Sequence, residues 1–323
     1  NPVFGFKQLA AAFTGLDSFS TGLFSNNYLD IQPSSKGYSS SKVPKLSRSI
    51  INNFSRILSN RLLKSSNLLP LNRRLFPIDK NPFPESSSVL SLIREKKLSY
   101  RFVFSPEVKT NRTAFSLLKT IYASNEIPDF LLVHFPQLDV LTHREGINSI
   151  RKRELVTEID SIIAKATDLL SKDSHVITFS DHGMVAVTGY IDIIGKIRHL
   201  NLPKSDYVVF LDSVMARFWV LKSSTFRKIK EALSQEVNGT IIVNQNEDMV
   251  NKFGNIMFAC SIGYIIFPNY YDPINPPKTM HGYIPSSSDS PLTGIFLANG
   301  LSKKFMKVKL SMTDLTPILK HFM

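Results

Sequence analysis

HVITFSDHGM, residues 175–184, joins an apolar run to an acid, an imidazole and a glycine. HVITF has the β-branched and aromatic character of a short buried strand, and Asp181-His182-Gly183 then leaves its carboxyl end. A stretch upstream has the same build. DFLLVHF (129–135) is a short apolar run, and PQLDVLTH (136–143) follows it directly with Asp139 and His143. Between the two, residues 147–172 place Ile150, Leu155, Ile159, Ile162, Ile163, Ala166 and Leu170 on one face of a predicted helix. Strand, helix, strand at this spacing is a βαβ unit. The expected fold is α/β: a mostly parallel sheet flanked by helices. In such sheets, functional loops leave the carboxyl ends of strands. Two ligand-rich loops are therefore expected at one edge of one sheet.

Further out, residues 206–221 and 239–244 are strand candidates, and STFRKIKEALSQE (224–236) reads as a helix. The block 190–275 thus has strands and a helix of its own, and is expected to be an inserted, smaller α+β subdomain. Residues 1–189 then form the first part of the core and 276–323 its closing part. MHGY places His281 ahead of GIFLANG (294–300), which reads as a buried strand. MTDLTPILKHF (312–322) reads as a closing helix capped by Thr313 or Asp314. His134 and His175 flank strands and are read as structural, and Phe218 and Trp219 as core of the insertion.

The chain has 323 residues, 43% of them hydrophobic, which is ample for a packed core. Lys+Arg outnumber Asp+Glu 39 to 26, giving a formal net charge of +13 and a pI near 9.7, which favours anionic partners. Residues 31–78 hold no acid, and there Arg48, Arg56 and Arg61 flank a stripe of Leu46, Ile50, Phe54, Leu58 and Leu62. That segment suits a basic lid steering anionic substrate. Contact with nucleic acid or an anionic membrane surface is the alternative, though no aromatic-interleaved RNA motif accompanies it. A single cysteine, Cys260, excludes an internal disulfide and is compatible with a reducing, cytoplasmic setting. No apolar run approaches the roughly 20 residues of a membrane span.

Carboxylates and neutral imidazoles are the ligands zinc takes where thiols are absent, and Asp139, His143, Asp181, His182 and His281 supply them. PDFLLVHFPQLDVLTHREG, VITFSDHGM and MHGYIPSSSDSPLTGIFLANG, in that order, resemble the metal-binding motifs of the alkaline phosphatase superfamily. The branch they resemble most is the type I phosphodiesterase/nucleotide pyrophosphatase family. The resemblance implies two divalent metal ions, expected to be Zn²⁺, at the sheet's carboxyl edge. Asp139, His143 and His281 would hold one, and Asp181 and His182 would contribute to the second. It implies attack on phosphorus by a Thr or Ser hydroxyl, with a phosphorylated small molecule or nucleotide as substrate.

FTGLDSFSTGLFSNNYLD (13–30) resembles another segment of the family, with Thr14, Gly15, Leu16, Gly22, Asn26, Asn27 and Asp30 in register and Asn26 and Asn27 as candidates for substrate contact. The family's nucleophile lies nine residues before that Thr, and the position falls on Gly5, which has no hydroxyl. No Asp precedes Asp17, so the expected first-strand ligand is missing too. The intact Asp181-His182 pair favours a loop skipped around residues 5–10 over a chain that has lost half a metal site, because an orphaned buried pair costs stability. The expected function is a metal-dependent phosphodiesterase or nucleotide pyrophosphatase. The alternative is a non-catalytic, metal-binding member of the same fold.

Overall fold

A computed structural model of the chain describes residues 89–103, 107–124, 126–170, 173–269, 271–272, 274–284, 291–299 and 309–323. Gly5, Asn26, Asn27 and the basic segment 31–78 lie outside the described residues. Those described fall into two units, 89–184 with 293–323, and 185–292.

The first unit opens with helix α1 (Val89–Glu95), strand β1 (Tyr100–Val103), helix α2 (Asn111–Ala123) and strand β2 (Phe130–Val133). β1 and β2 are parallel, in register from Tyr100 against Phe130 to Val103 against Val133, so α2 is a βαβ crossover. Thr110 caps α2 by accepting from the Thr113 N–H. Ala114 and Leu117 of α2 then pack with Val103, Val108, Leu131 and Val133. The strand starts are tied by Asp129, whose carboxylate accepts from the Ser99 N–H at 2.8 Å and its hydroxyl at 2.7 Å.

Helices α3 (Gln137–Glu145) and α4 (Ile150–Asp168) follow, then strand β3 (Ile177–Phe179). α4 is shorter than expected, and its buried face carries Leu155 and Ile162. Ile150 is 70% exposed: five residues before Leu155, it sits about 140° around the helix, off that face.

The second unit starts with β4 (Val185–Ala186), β5 (Gly189–Ile191) and α5 (Ile193–Arg198). A hairpin, β6 (Tyr207–Leu211) and β7 (Met215–Val220), leads to α6 (Ser223–Ser234), β8 (Gly239–Val243), α7 (Glu247–Phe253) and β9 (Ile256–Cys260). These four strands form an antiparallel sheet in the order β6-β7-β9-β8. All five residues of β9 are buried, and Phe218, Phe258, Ile229 and Leu233 meet in the core. Phe218 is core as expected, whereas Trp219 is only half-buried. Arg217 lies buried within β7, 3.9 Å from Asp212 and over the Phe210 ring. Short strands β10 (Tyr264–Ile266) and β11 (Thr279–Met280) pair with β5 and β4 respectively, Met280 opposite Val185.

The chain then returns to the first unit. β12 (Phe296–Ala298) pairs antiparallel with β3, and α8 (Leu315–Phe322) closes the chain, its Leu319 packing with Val89, Leu90 and Ile93 of α1. Asp314, one of the two expected caps, is the N-cap position of α8, but its carboxylate turns back to the preceding turn: Ser311 and Asp314 form a reciprocal capping box around the 3₁₀ turn Met312–Asp314. GIFLANG is less buried than its composition suggests, with Leu297 64% exposed, because alternate residues of a strand face opposite sides. Among the described residues ladders join β1 to β2 and β3 to β12, and none joins β2 to β3. No helix among them is long and apolar enough to cross a membrane.

Candidate metal centre

β2 ends at Val133, and the His134 N–H donates to the Val103 carbonyl at 3.1 Å, extending the parallel ladder by one bond. Pro136 then turns the chain into α3. PQLDVLTH is therefore the start of a helix rather than a ligand-rich loop, and the two candidate ligands gain a rigid carrier. Asp139 and His143 are four residues apart, which stacks them on one helix face. His143 Nε2 lies 3.3 Å from Asp139 Oδ1. Asp139 also stands in the first turn of α3, where the helix dipole favours a carboxylate. The far end of α3 is held by Gly146, whose N–H donates to the Thr142 carbonyl at a φ of 95°, and by Glu145, which accepts from Ser149 and Arg151.

Asp181 and His182 do occupy a loop, as expected, directly after β3. The loop's first residue is braced from β12's side: the Ser180 N–H donates to the Ile295 carbonyl and the Ser180 hydroxyl accepts from the Ile295 N–H. A Cβ at Gly294 would meet that hydroxyl at 2.4 Å, so glycine is required for this approach. His182 Nδ1 is 2.9 Å from the Gly183 carbonyl. A carbonyl only accepts, so the proton sits on Nδ1. In the neutral ring, Nε2 is then left as a lone-pair donor to a metal. That Nε2 lies 3.4 Å from Asp181 Oδ2.

The two elements converge. Asp139 and His182 each offer a ligand atom within 4.8 Å of the other. Burial pushes the Asp181 carboxyl above its ordinary range; the neighbouring His182 opposes that, and the Asp139 charge adds to it. A buried carboxyl whose proton affinity is raised by a second carboxylate, with imidazole nitrogens beside it, makes a donor set that a divalent cation fits. His134, read from sequence as structural, belongs to the same neighbourhood. Burial holds its pKa down to about 4, with the Asp139 charge pulling the other way. Its sequence signal was its place, five residues ahead of Asp139 at the end of the same strand. His175 does pack structurally, its ring 4.3 Å from that of Phe322. His281 belongs to the second unit, immediately after β11 and before Gly282, whose φ is 86°.

Comparison with known proteins follows the same lines. The profile described as type I phosphodiesterase / nucleotide pyrophosphatase matches residues 2–283. Among curated protein sequences nothing matches. Human ectonucleotide pyrophosphatase / phosphodiesterase 5 is similar in structure, with a TM-score of 0.67 at 18% identity, covering 98% of this chain and 83% of its own. An inactive variant of the murine counterpart, solved in complex with AMP, gives 0.58 at 18% identity over 74% and 70%. Phosphonoacetate hydrolase from Sinorhizobium meliloti 1021, in complex with phosphonoacetate, gives 0.64 at 11% identity over 100% and 85%. These likenesses establish an alkaline-phosphatase-like α/β fold.

Proposed function

Since the chain belongs to the type I phosphodiesterase/nucleotide pyrophosphatase family, a family of phosphoester hydrolases, we propose that its own hydrolysis is metal-dependent. Asp139, His143, Asp181, His182 and His281 would be the ligands. The observation that carries this reading is the convergence of α3 with the Asp181-His182 loop, which places carboxylate and imidazole donors of separate elements within 4.8 Å. The place of His281 in the set rests on its His-Gly motif. A pair of divalent ions, zinc being the expected choice, would supply Lewis-acid stabilisation of charge on the phosphoryl oxygens and activate the attacking hydroxyl.

The chain's own residues account for the rest. Asp139 and His143 are presented one turn apart by a helix pinned at its far end, so their separation is set before any ligand arrives. The Gly183 carbonyl fixes the His182 tautomer. The net charge of +13 draws anionic substrates. The substrate class this supports is a nucleotide or phosphorylated small molecule, in line with the AMP held by the murine relative.

The test is turnover of the p-nitrophenyl ester of thymidine monophosphate by the zinc-loaded chain, with metal content measured alongside. About two zinc ions per chain, with turnover lost in Asp139→Ala and His182→Ala, support the reading. Turnover unaffected by both substitutions, or by exhaustive chelation, removes it. Gly5 at the nucleophile position favours a second reading, a metal-binding member without catalysis. About one zinc per chain and no turnover would select it.

A further inference from the structure

α3 begins without a side-chain cap. Pro136 occupies the N-cap position and has no polar side chain to offer the helix's first N–H groups. Its first turn is instead anchored sideways. Gln137, the first residue of α3, accepts through Oε1 from the backbone N–H of Asn111 at 2.6 Å. Asn111 is the first residue of α2 and is fully buried. Its N–H is one of the orphan donors of a helix start, so the bond serves both helices: it satisfies α2 and fastens α3. Gln137 and Asp139 are two residues apart, about 200° around the helix, so the anchor and the ligand lie on nearly opposite faces. The first turn of α3 is thus held from behind by α2 while presenting Asp139 forward.

We propose that Gln137 is a positioning residue for Asp139, acting through its bond to the Asn111 N–H to set the affinity of the metal centre. The inference rests on the functional reading above. It also says why this turn carries a glutamine: the acceptor must project a full side chain's length from a helix that has no cap. Loss of the acceptor frees the first turn without removing a ligand. The expected consequence is of the size seen for partners that orient metal ligands, about a tenfold loss of affinity.

Zinc affinity of the full chain, measured by competition with a chromophoric chelator, tests this when read beside the thermal midpoint of the metal-free protein. Gln137→Met keeps the shape and removes the acceptor. Gln137→Asn keeps the amide but falls one methylene short. Both should bind zinc about tenfold more weakly. Gln137→Glu restores an acceptor at the same reach, and its affinity should return to the parental value or exceed it. Asp139→Ala is the control for the site itself. If the parental chain binds zinc, Asp139→Ala weakens it, and Gln137→Met matches the parental chain, the positioning role is overturned and the metal centre stands. If Gln137→Glu is as weak as Gln137→Met, the acceptor is not the cause and the inference is again overturned. If the parental chain binds no zinc, both readings fall together.

Discussion

Acidification should strip stability from the first unit through His134. The ring is held neutral by burial, with a folded-state pKa of about 4 against an ordinary 6.5. Between those values the unfolded chain binds a proton that the folded chain refuses. Stability therefore rises with pH across the window: it is fully present above about 6.5 and lost as pH falls towards about 4. At about 1.4 kcal/mol per pH unit, a window of roughly two and a half units amounts to ~3 kcal/mol. Against a typical total of about 5–15 kcal/mol that is a large share. Asp181 acts with the opposite sign. Its folded-state pKa is raised, chiefly by burial, so its contribution declines as pH rises above the ordinary carboxylate range. Asp129 and Glu145 have lowered pKa values and lose their contributions as pH falls through and below the ordinary carboxylate range, at the acid end of the His134 window and alike in both proteins.

The measurement is urea unfolding of the metal-free protein in chelator at several pH values between about 4 and 7, for the parental chain and His134→Gln. Far-UV circular dichroism follows the helices of both units, the larger share of which, α1 to α4 and α8, lies in the first. Trp219, the single tryptophan, lies in the second unit and reports it separately by fluorescence. The parental circular-dichroism transition should lose ~3 kcal/mol more than that of His134→Gln over the window, while the fluorescence transitions stay alike. If the two proteins lose stability in parallel as the pH falls, burial of a neutral His134 is not what makes this unit acid-sensitive, and the reasoning fails.

Three other substitutions follow from the same structure. Asp181→Asn removes one of two mutually repelling carboxylates, so it should stabilise the protein in chelator; zinc at about 100 times its Kd should add ~2.7 kcal/mol to the parental chain and clearly less to the variant in paired thermal melts. Phe218→Ala truncates a fully buried ring on β7, between β6 and β9, and should cost about 3–5 kcal/mol in the Trp219 fluorescence transition. Gly254→Ala places a Cβ 2.4 Å from the Phe218 carbonyl oxygen at a φ of +83°, so it should cost more than about 1 kcal/mol by the same measurement, whereas an unchanged midpoint would mean the loop shifts freely.

What the sequence made legible follows from how narrowly each feature is constrained. Metal ligation admits few residue types, so the Asp and His of LDVLTH, SDHGM and MHGY stand out even among 323 residues. The strands 130–133 and 177–179 were visible because short apolar runs have few other uses, although both are only partly buried and not the buried strands expected. The helix at 137–145 was not, because only Leu141 and Thr142 of its residues are buried and the stripe that would mark it is nearly absent. Buried Arg217 was invisible for a related reason: its accommodation by Asp212 and the Phe210 ring is a tertiary arrangement, with no trace in local pattern. Yet α3 had left one signal. Asp139 and His143 differ by four, the spacing that brings side chains together on a helix and separates them to opposite ends of an extended loop. Asp181 and His182 are adjacent, a spacing that suits a loop and not a helix face. The ligand spacings themselves therefore distinguish the two carriers, and a reading that asks which backbone lets each pair meet would have assigned a helix to the first and a loop to the second.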